Sequence, residues 1–252
     1  MSYPRNNEGY NLAKESPTTY ARDLTSFSLL GNEKLGIAKY VISQGLVGDA
    51  LDIGAGSGEV ARHLLDKSDR YVAIEQNPDL CVELGRLGVE VVNGTFPGIS
   101  AEGDFDTVLA SHSIPSRREE YEPFIDAALE RTKKFGKLVI VALSDTPSAY
   151  STVMGEIGLP RTATGGYVRG LSDYARTKGR VLEQAVVNSV NATDIEGVIS
   201  AIAFVGSTNG NIEKRDFITA ALQDRRSLLS PYYTKEGYSF PFVSHGVTIM
   251  KE

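Results

Sequence analysis

Short apolar segments alternate with amphipathic segments along the first 145 residues. The apolar segments are four to seven residues long, as is typical of strands, and cover residues 50–53, 71–75, 89–92, 105–111 and 138–143. A helical pattern follows the glycine-rich turn at 54–58 through about residue 67. A second begins at Pro78 with Asn77 as its cap, and a third covers residues 118–134. Strands that are apolar on both faces and alternate with helices indicate a parallel sheet covered on both sides.

The second half of the chain is less regular. Its pattern predicts helices over 149–157 and 171–178, a strand over 181–192, a helical region over 195–229 and a final strand over 240–250. Ser172 is the expected N-cap of the second of these helices, and Gly179 its stop. Residues 20–45 also have a helical pattern, and the residues before them are polar. Because no linker separates these elements, a single domain is expected.

Composition and charge restrict the function classes. The net charge is −6 and the pI about 5.3, which disfavours a nucleic-acid partner and favours a small molecule or peptide. Cys81 is the only cysteine, so no internal disulfide forms. The N-terminal residues lack the apolar segment of a signal peptide, and no apolar run is long enough to span a membrane. A cytoplasmic protein without a membrane partner is therefore expected.

The strongest motif is the segment LDIGAGSGE at residues 51–59. It lies at a predicted strand-to-helix turn, where glycines permit a sharp turn and let a ligand approach the main chain. Glu75 ends the next strand, 21 residues after Gly54, and a carboxylate there can accept hydrogen bonds from both hydroxyls of a ribose.

Two details argue against a dinucleotide as the ligand. The dinucleotide fingerprint G-x-G-x-x-G requires a third glycine, and Glu59 occupies that position. Asp52 lies within the strand, two residues before Gly54, where an acid disfavours an anionic pyrophosphate. It suits a ligand that carries a cationic sulfonium and an ammonium group.

These segments resemble the class I methyltransferases. DIGAGSGE is similar to the first motif of that superfamily, Glu75 to its ribose-binding acid, and Asn93-Gly94-Thr95 to its third-strand exit. FDTVLASHS (105–113) and GKLVIVAL (136–143) resemble its fourth and fifth strands. The resemblance covers residues 45–145 and implies S-adenosylmethionine as cofactor. The residues then expected to bind it are Asp52, Gly54, Ala55, Gly56, Glu75, Gln76, Gly94, Thr95, Phe96, Ser111 and Tyr20.

The resemblance also implies the architecture. It predicts an α/β fold with a Rossmann-like, mostly parallel sheet of seven strands, helices on both faces and an antiparallel last strand. Residues 1–45 form an N-terminal helical lid and residues 46–145 the cofactor-binding core. Residues 146–252 supply the substrate lid, inserted helices and final strands, and helical segments at 1–45, 144–169 and 195–229 enclose a small pocket.

A weaker likeness of layout relates the C-terminal half to histamine N-methyltransferase and its relatives. A helix after the fifth strand and extra helices between the last two strands are features of that group. The acidic substrate contact of the group has no clear match here, so histamine is not inferred as the acceptor.

Few side chains are required for the chemistry, because methyl transfer depends mainly on the position of the reactants. His112 follows the fourth strand, at the carboxyl edge where ligands bind, and is the candidate general base. The two alternative roles for His112 are a substrate contact and a structural hydrogen bond. Tyr150 and His245 are candidate substrate contacts, although core packing for Tyr150 and a structural role for His245 are the ordinary alternatives.

Other site types have little support in the sequence. Three scattered histidines and one cysteine give no metal-ligand spacing, so no metal is expected, and Asp145 is the only well-placed acid for Mg²⁺. The sequence contains no G-x-S-x-G nucleophile elbow, so it does not indicate a serine hydrolase. Tyr10, Tyr20, Tyr150 and Tyr167 lie in presumed lid segments.

The sequence therefore predicts an S-adenosylmethionine-dependent methyltransferase that acts on nitrogen or oxygen of a small molecule. Two alternatives are an enzyme of another class that uses a nucleotide or dinucleotide, and a non-catalytic scaffold that keeps the fold. The oligomeric state and the identity of the acceptor stay open.

Overall fold

The computed structural model describes residues 16–45, 47–99, 101–144, 147–159, 167–207 and 211–252. They divide into two compact units. The core unit comprises the described residues within 34–145, 164–187 and 243–252, and the helical unit those within 1–33, 146–163 and 188–242. The expectation of a single domain stays a prediction. Tyr10 and Asp145, both named above as candidates, lie outside the described residues.

One sheet carries the α/β architecture. Its strands are β1 (Gly48–Ile53), β2 (Ser68–Glu75), β3 (Glu90–Asn93), β4 (Phe105–Ser111), β5 (Thr132–Leu143), β6 (Arg180–Ala192), β7 (Tyr233–Thr234) and β8 (Gly237–Met250). The order is β3-β2-β1-β4-β5-β8-β6, and the two-residue β7 pairs with β8. Strands β1 to β5 pair in parallel, and β8 is antiparallel to β5. The predicted fold class is confirmed, and β7 is an addition to the seven predicted strands.

Two helices precede β1, and the others lie in connections between strands. The helices are α1 (Pro17–Leu30), α2 (Glu33–Ser43), α3 (Ala61–Leu64), α4 (Pro78–Gly85), α5 (Arg118–Glu130), α6 (Ala149–Glu156), α7 (Tyr167–Arg176), α8 (Ile195–Ser207) and α9 (Ile212–Asp224). Short 3₁₀ segments cover Leu65–Lys67 and Arg226–Tyr232. In the described part of the chain, no helix has the length and hydrophobicity needed to cross a membrane.

Buried side chains form a hydrophobic cluster on each face of the sheet in the core unit. Leu51 and Ile53 of β1 pack on one face with residues of α5 and α7. Ala50, on the other face, belongs to a cluster with Ile37 and Val41 of α2. The apolar stripe of α2 is therefore buried in the core unit, and the helical lid expected over residues 1–45 stays a prediction.

Asn77 and Pro78 begin α4 as predicted. The Asn77 side chain accepts a hydrogen bond from the backbone N–H of Asp79 at 3.0 Å, and Pro78 occupies the first turn. Proline is favoured there because its fixed φ matches the helix and its missing N–H has no partner in the first turn. This cap places β2 and the start of α4 two residues apart.

Several predicted element boundaries differ from the structure, among them the starts of β2 and β5. The helix expected through residue 67 is four residues of α3 followed by a 3₁₀ turn. Helix α5 ends at Glu130 instead of Lys134, because Thr132 already pairs with Phe105 of β4. Ser172 lies in the interior of α7, where its hydroxyl donates to Glu183 Oε2 at 3.1 Å, so it is not a cap. At α5, a tertiary contact decided the helix end.

Candidate active site

The turn after β1 adopts backbone conformations that favour glycine. The φ angles of Gly54, Gly56 and Gly58 are 73°, 59° and 82°. They lie in the left-handed region, which residues with a Cβ rarely adopt. The N–H groups of Gly54 and Ala55 donate to the carbonyl of Ile74 at 2.8 and 3.2 Å. The turn is therefore fixed to β2, and its main chain lies at the carboxyl edge of the sheet.

Ser113 packs directly against this turn. A Cβ on Gly54 would lie 2.3 Å from the Cβ of Ser113, far closer than two carbon atoms approach without a bond. The Ser113 hydroxyl donates to the carbonyl of Ile53. The sequence did not single out Ser113 as a site residue, and its position two residues beyond β4 was the only available signal.

Replacing Gly54 with alanine should destabilise the protein by about 2–4 kcal/mol. The left-handed φ costs an alanine roughly 1–2 kcal/mol, and the contact with Ser113 adds an overpacking cost. Urea unfolding of Gly54→Ala measures the change. The matched background is Ser113→Gly, which removes the opposing Cβ, so the penalty there should fall to about 1–2 kcal/mol. Equal penalties in both backgrounds would contradict this contact.

Glu75 is a buried carboxylate at the carboxyl end of β2, 6% exposed. Its Oε2 accepts from the N–H of Gly56 at 2.9 Å, and its Oε1 from the N–H of Asn77 at 2.8 Å. A carboxylate oxygen has two lone pairs, so each oxygen keeps one for another donor. The two amides fix the orientation of the carboxylate against the glycine turn.

More of the predicted site residues lie beside Glu75, at the carboxyl end of β3. The Gly94 N–H donates to the carbonyl of Glu75 at 2.9 Å, and the Thr95 hydroxyl to Gln76 Oε1 at 3.3 Å. The side chains of Gln76 and Thr95 are exposed. Phe96 is different, because its ring packs edge-on against Phe124 in the core, and a contact of Phe96 with a cofactor stays a prediction.

The exit of β4 is strained. His112 has φ of 55°, which is uncommon for a residue with a side chain, although histidine adopts it more often than most. Its N–H donates to the carbonyl of Val141 at 2.8 Å, and its side chain is exposed. Within the described residues, the buried hydroxyl oxygen of Ser111 has no hydrogen-bond partner. Strain and unsatisfied polar atoms of this kind concentrate at functional sites.

Asp52 is almost completely buried in β1, with 2% of its surface exposed. The Tyr71 hydroxyl donates to its Oδ2 at 2.8 Å. Burial raises the pKa of Asp52 to about 6, the hydrogen bond from Tyr71 opposes the rise, Glu75 adds to it, and Lys34 opposes it. The predicted acid therefore has its own hydrogen-bond donor, which the sequence did not identify.

Asp52→Asn should stabilise the protein at high pH. A folded-state pKa of about 6, against an ordinary value of 3.8, means that the protonated acid stabilises the fold. This contribution is complete below about pH 3.8 and is lost as the pH rises through about 6. Since one pKa unit corresponds to 1.36 kcal/mol, the variant should gain about 1–3 kcal/mol over wild type at pH 8. Urea unfolding at pH 4 and pH 8 measures the gain, and an equal effect at both pH values would refute it.

His245 lies across β5 from the exit of β4. It is opposite Ala142 in the register of β5 and β8, next to the Val141 carbonyl that accepts from His112. Its Nε2 is 3.0 Å from Glu183 Oε2. The two histidines therefore flank β5 near its carboxyl end, and a substrate contact by His245 stays a prediction.

Tyr20 and Tyr150 belong to the helical unit. The Tyr20 ring lies 5.8 Å from Phe204, and the Tyr150 ring 5.4 Å from Phe242. Tyr150 is 4% exposed. Both rings contribute to the aromatic packing of that unit, and their contacts with cofactor or substrate stay predictions. Among the residues that the structure describes, no group of three His, Cys, Asp or Glu side chains could hold a metal ion.

Comparisons with known proteins give structural likenesses only. No protein-family model and no curated protein matches the sequence. A putative methyltransferase from Bacillus halodurans is 17% identical, with a TM-score of 0.53 over 85% of this chain and 98% of that one. A functionally unknown protein from Deinococcus radiodurans is 16% identical, with a TM-score of 0.55 over 95% and 100%. The plantazolicin methyltransferase BpumL, in complex with SAH, is 14% identical, with a TM-score of 0.51 over 93% and 88%.

These likenesses show the fold. The chain shares its α/β arrangement with two proteins described as methyltransferases, and the predicted Rossmann-like α/β fold is confirmed. A fold by itself does not identify an activity, which depends on the site.

Proposed function

We propose that this protein is an S-adenosylmethionine-dependent methyltransferase that acts on nitrogen or oxygen of a small molecule. The observation that carries the proposal is the Glu75 carboxylate, held by the amides of Gly56 and Asn77 beside the glycine turn. Oriented lone pairs at this edge of the sheet suit the two hydroxyls of a ribose. The fold shared with two methyltransferases supports the same function.

The residues at the carboxyl edge fit this cofactor. Glu75 would hold the ribose, the main chain of residues 54–58 the methionine portion, and Gln76 with Thr95 the base. The cofactor supplies a methyl group on a positively charged sulfur, which makes that carbon electrophilic. Buried Asp52 provides negative charge beneath the turn, as a cationic ligand requires.

The protein contributes position and a proton acceptor. Holding the acceptor atom in line with the methyl carbon contributes roughly 7–11 kcal/mol without any base. His112 is exposed at the end of β4, where its imidazole would accept the proton that a hydroxyl or amine loses.

The net charge of −6 supports a small-molecule acceptor over a nucleic acid. A cytoplasmic location is part of the same proposal. The acceptor class is tested by incubating the protein with S-adenosylmethionine labelled on its methyl group and mixtures of small amines, alcohols and phenols. Parallel incubations contain peptides and transfer RNA. Label transferred only to peptide or RNA would overturn the small-molecule assignment.

Isothermal titration calorimetry with S-adenosylhomocysteine (SAH) tests the cofactor. We expect micromolar binding of SAH and none of NAD, because Glu59 replaces the third glycine of the dinucleotide pattern. Asp69→Asn, which changes an exposed acid at the start of β2, is the matched control and should bind SAH as wild type does. Failure of the folded wild type to bind SAH would end the methyltransferase proposal.

A further inference from the structure

Two buried carboxylates share one face of the sheet next to the glycine turn. Asp52 of β1 is paired in register with Ala73 of β2, so their side chains point to the same face. Glu75 lies two residues beyond Ala73 and therefore points to that face as well. Asp52 is 2% exposed and Glu75 6%. Both acids lie beneath a turn that is open to a ligand at Gly54, whose main chain is exposed.

The groups that face Asp52 compensate its charge only in part. Tyr71 on β2 donates one hydrogen bond, Glu75 on the same strand repels the charge, and Lys34 on α2 attracts it. Burial outweighs these stabilising contacts and raises the pKa of Asp52 to about 6. A buried carboxylate that is not fully compensated is costly, and a nearby positive charge lowers that cost.

We propose that Asp52 makes the site distinguish the methyl donor from its demethylated product by charge. The sulfonium of S-adenosylmethionine binds with release of a proton from Asp52 to solvent, whereas the neutral thioether of SAH binds with that proton retained. The inference rests on the proposed function and adds a specificity-determining role for one residue. Its consequence is that product inhibition depends on pH, with donor favoured over product as the pH rises.

Calorimetry in two buffers of different ionisation enthalpy counts the protons released on binding. At pH 6, donor binding to wild type should release roughly half a proton, because a group at its pKa is half protonated. SAH should release close to none. The ratio of the SAH to the donor dissociation constant should rise about tenfold from pH 5 to pH 8, equivalent to a shift of one pKa unit.

Three variants assign the effect to Asp52. Asp52→Asn keeps the side-chain shape and the acceptor for Tyr71, and should release no proton and give a ratio constant within twofold. Tyr71→Phe removes the hydrogen bond that favours the charged acid, so at pH 7 it should release more protons than wild type. Asp69→Asn, which changes an exposed acid on β2, the strand of Tyr71, should behave as wild type.

The outcomes separate this inference from the proposed function. If neither ligand binds to the folded wild type, the proposed function fails. If both bind but the ratio is independent of pH, or if Asp52→Asn retains the same pH dependence, the role of Asp52 is refuted while the methyltransferase assignment stands. Should Asp52→Asn not fold, Tyr71→Phe alone decides, because unchanged proton release at pH 7 refutes the role.

Discussion

Alanine in place of His112 is expected to lower turnover about 10²- to 10⁴-fold while cofactor affinity changes little. The size follows from the contribution of a general base, which takes the proton from the acceptor as the new bond forms. His112 is exposed at the carboxyl end of β4, so its loss removes no core packing. Turnover with an acceptor from the labelled-methyl screen and calorimetry with SAH measure the two effects. A loss under tenfold would reject the role of base.

His112→Gly is the matched control for the backbone. Glycine adopts a φ of 55° freely, so this variant should be more stable than His112→Ala by roughly 1–2 kcal/mol, the cost of the left-handed region for a residue with a Cβ. Both variants should lose the same amount of turnover if the imidazole is the catalytic group. Turnover that follows stability instead would indicate a structural role for His112.

Glu75→Ala is expected to weaken SAH binding by about 1–3 kcal/mol, or roughly 5- to 150-fold, because hydrogen bonds to a charged group are lost. The same change leaves the amides of Gly56 and Asn77 without their acceptor, so the glycine turn loses its connection to β2 through this side chain. We therefore expect a loss of stability of about 1–3 kcal/mol in addition. Calorimetry and urea unfolding measure the two losses separately.

Glu75→Gln separates ligand binding from support of the turn. Glutamine keeps one oxygen to accept an amide but replaces the other acceptor with an NH₂ donor. It should recover part of the stability that alanine loses, yet bind SAH nearly as weakly as alanine does. Wild-type affinity for SAH in Glu75→Gln would show that a charged acceptor is not needed. It would contradict the ribose-binding role of Glu75, on which the proposed function rests.

Local sequence patterns predicted most of the core unit. Apolar segments of four to seven residues placed the carboxyl ends of β1 to β5 within one residue, and β4 at both of its ends, whereas β5 begins earlier than its apolar segment. The predicted segments of β1, β2, β4 and β5 are mostly buried on both faces, so apolar residues dominate them and the signal is strong. Asn77 and Pro78 gave the start of α4 because a cap and a first-turn proline act over four residues.

Elements defined by distant partners were predicted less well. The end of α5 depends on Thr132 pairing with Phe105, 27 residues earlier in the chain. Helix α2 belongs to the core unit because its apolar stripe packs with β1, although its pattern alone also suits a lid. Ser172 lies inside α7, which begins at Tyr167, and its hydroxyl donates to Glu183 on the following strand.

The sequence by itself determined the α/β class, the glycine turn and the acid 21 residues after it. These features depend on backbone φ preferences and on apolar periodicity, which act between near neighbours in the chain. Only the tertiary structure decided that Tyr71 donates to Asp52, that Ser113 packs on Gly54 and that Glu75 accepts from the Gly56 amide. The pairing of β1 with β2 and β4 creates these contacts, and register between strands distant in sequence is not encoded in any short segment.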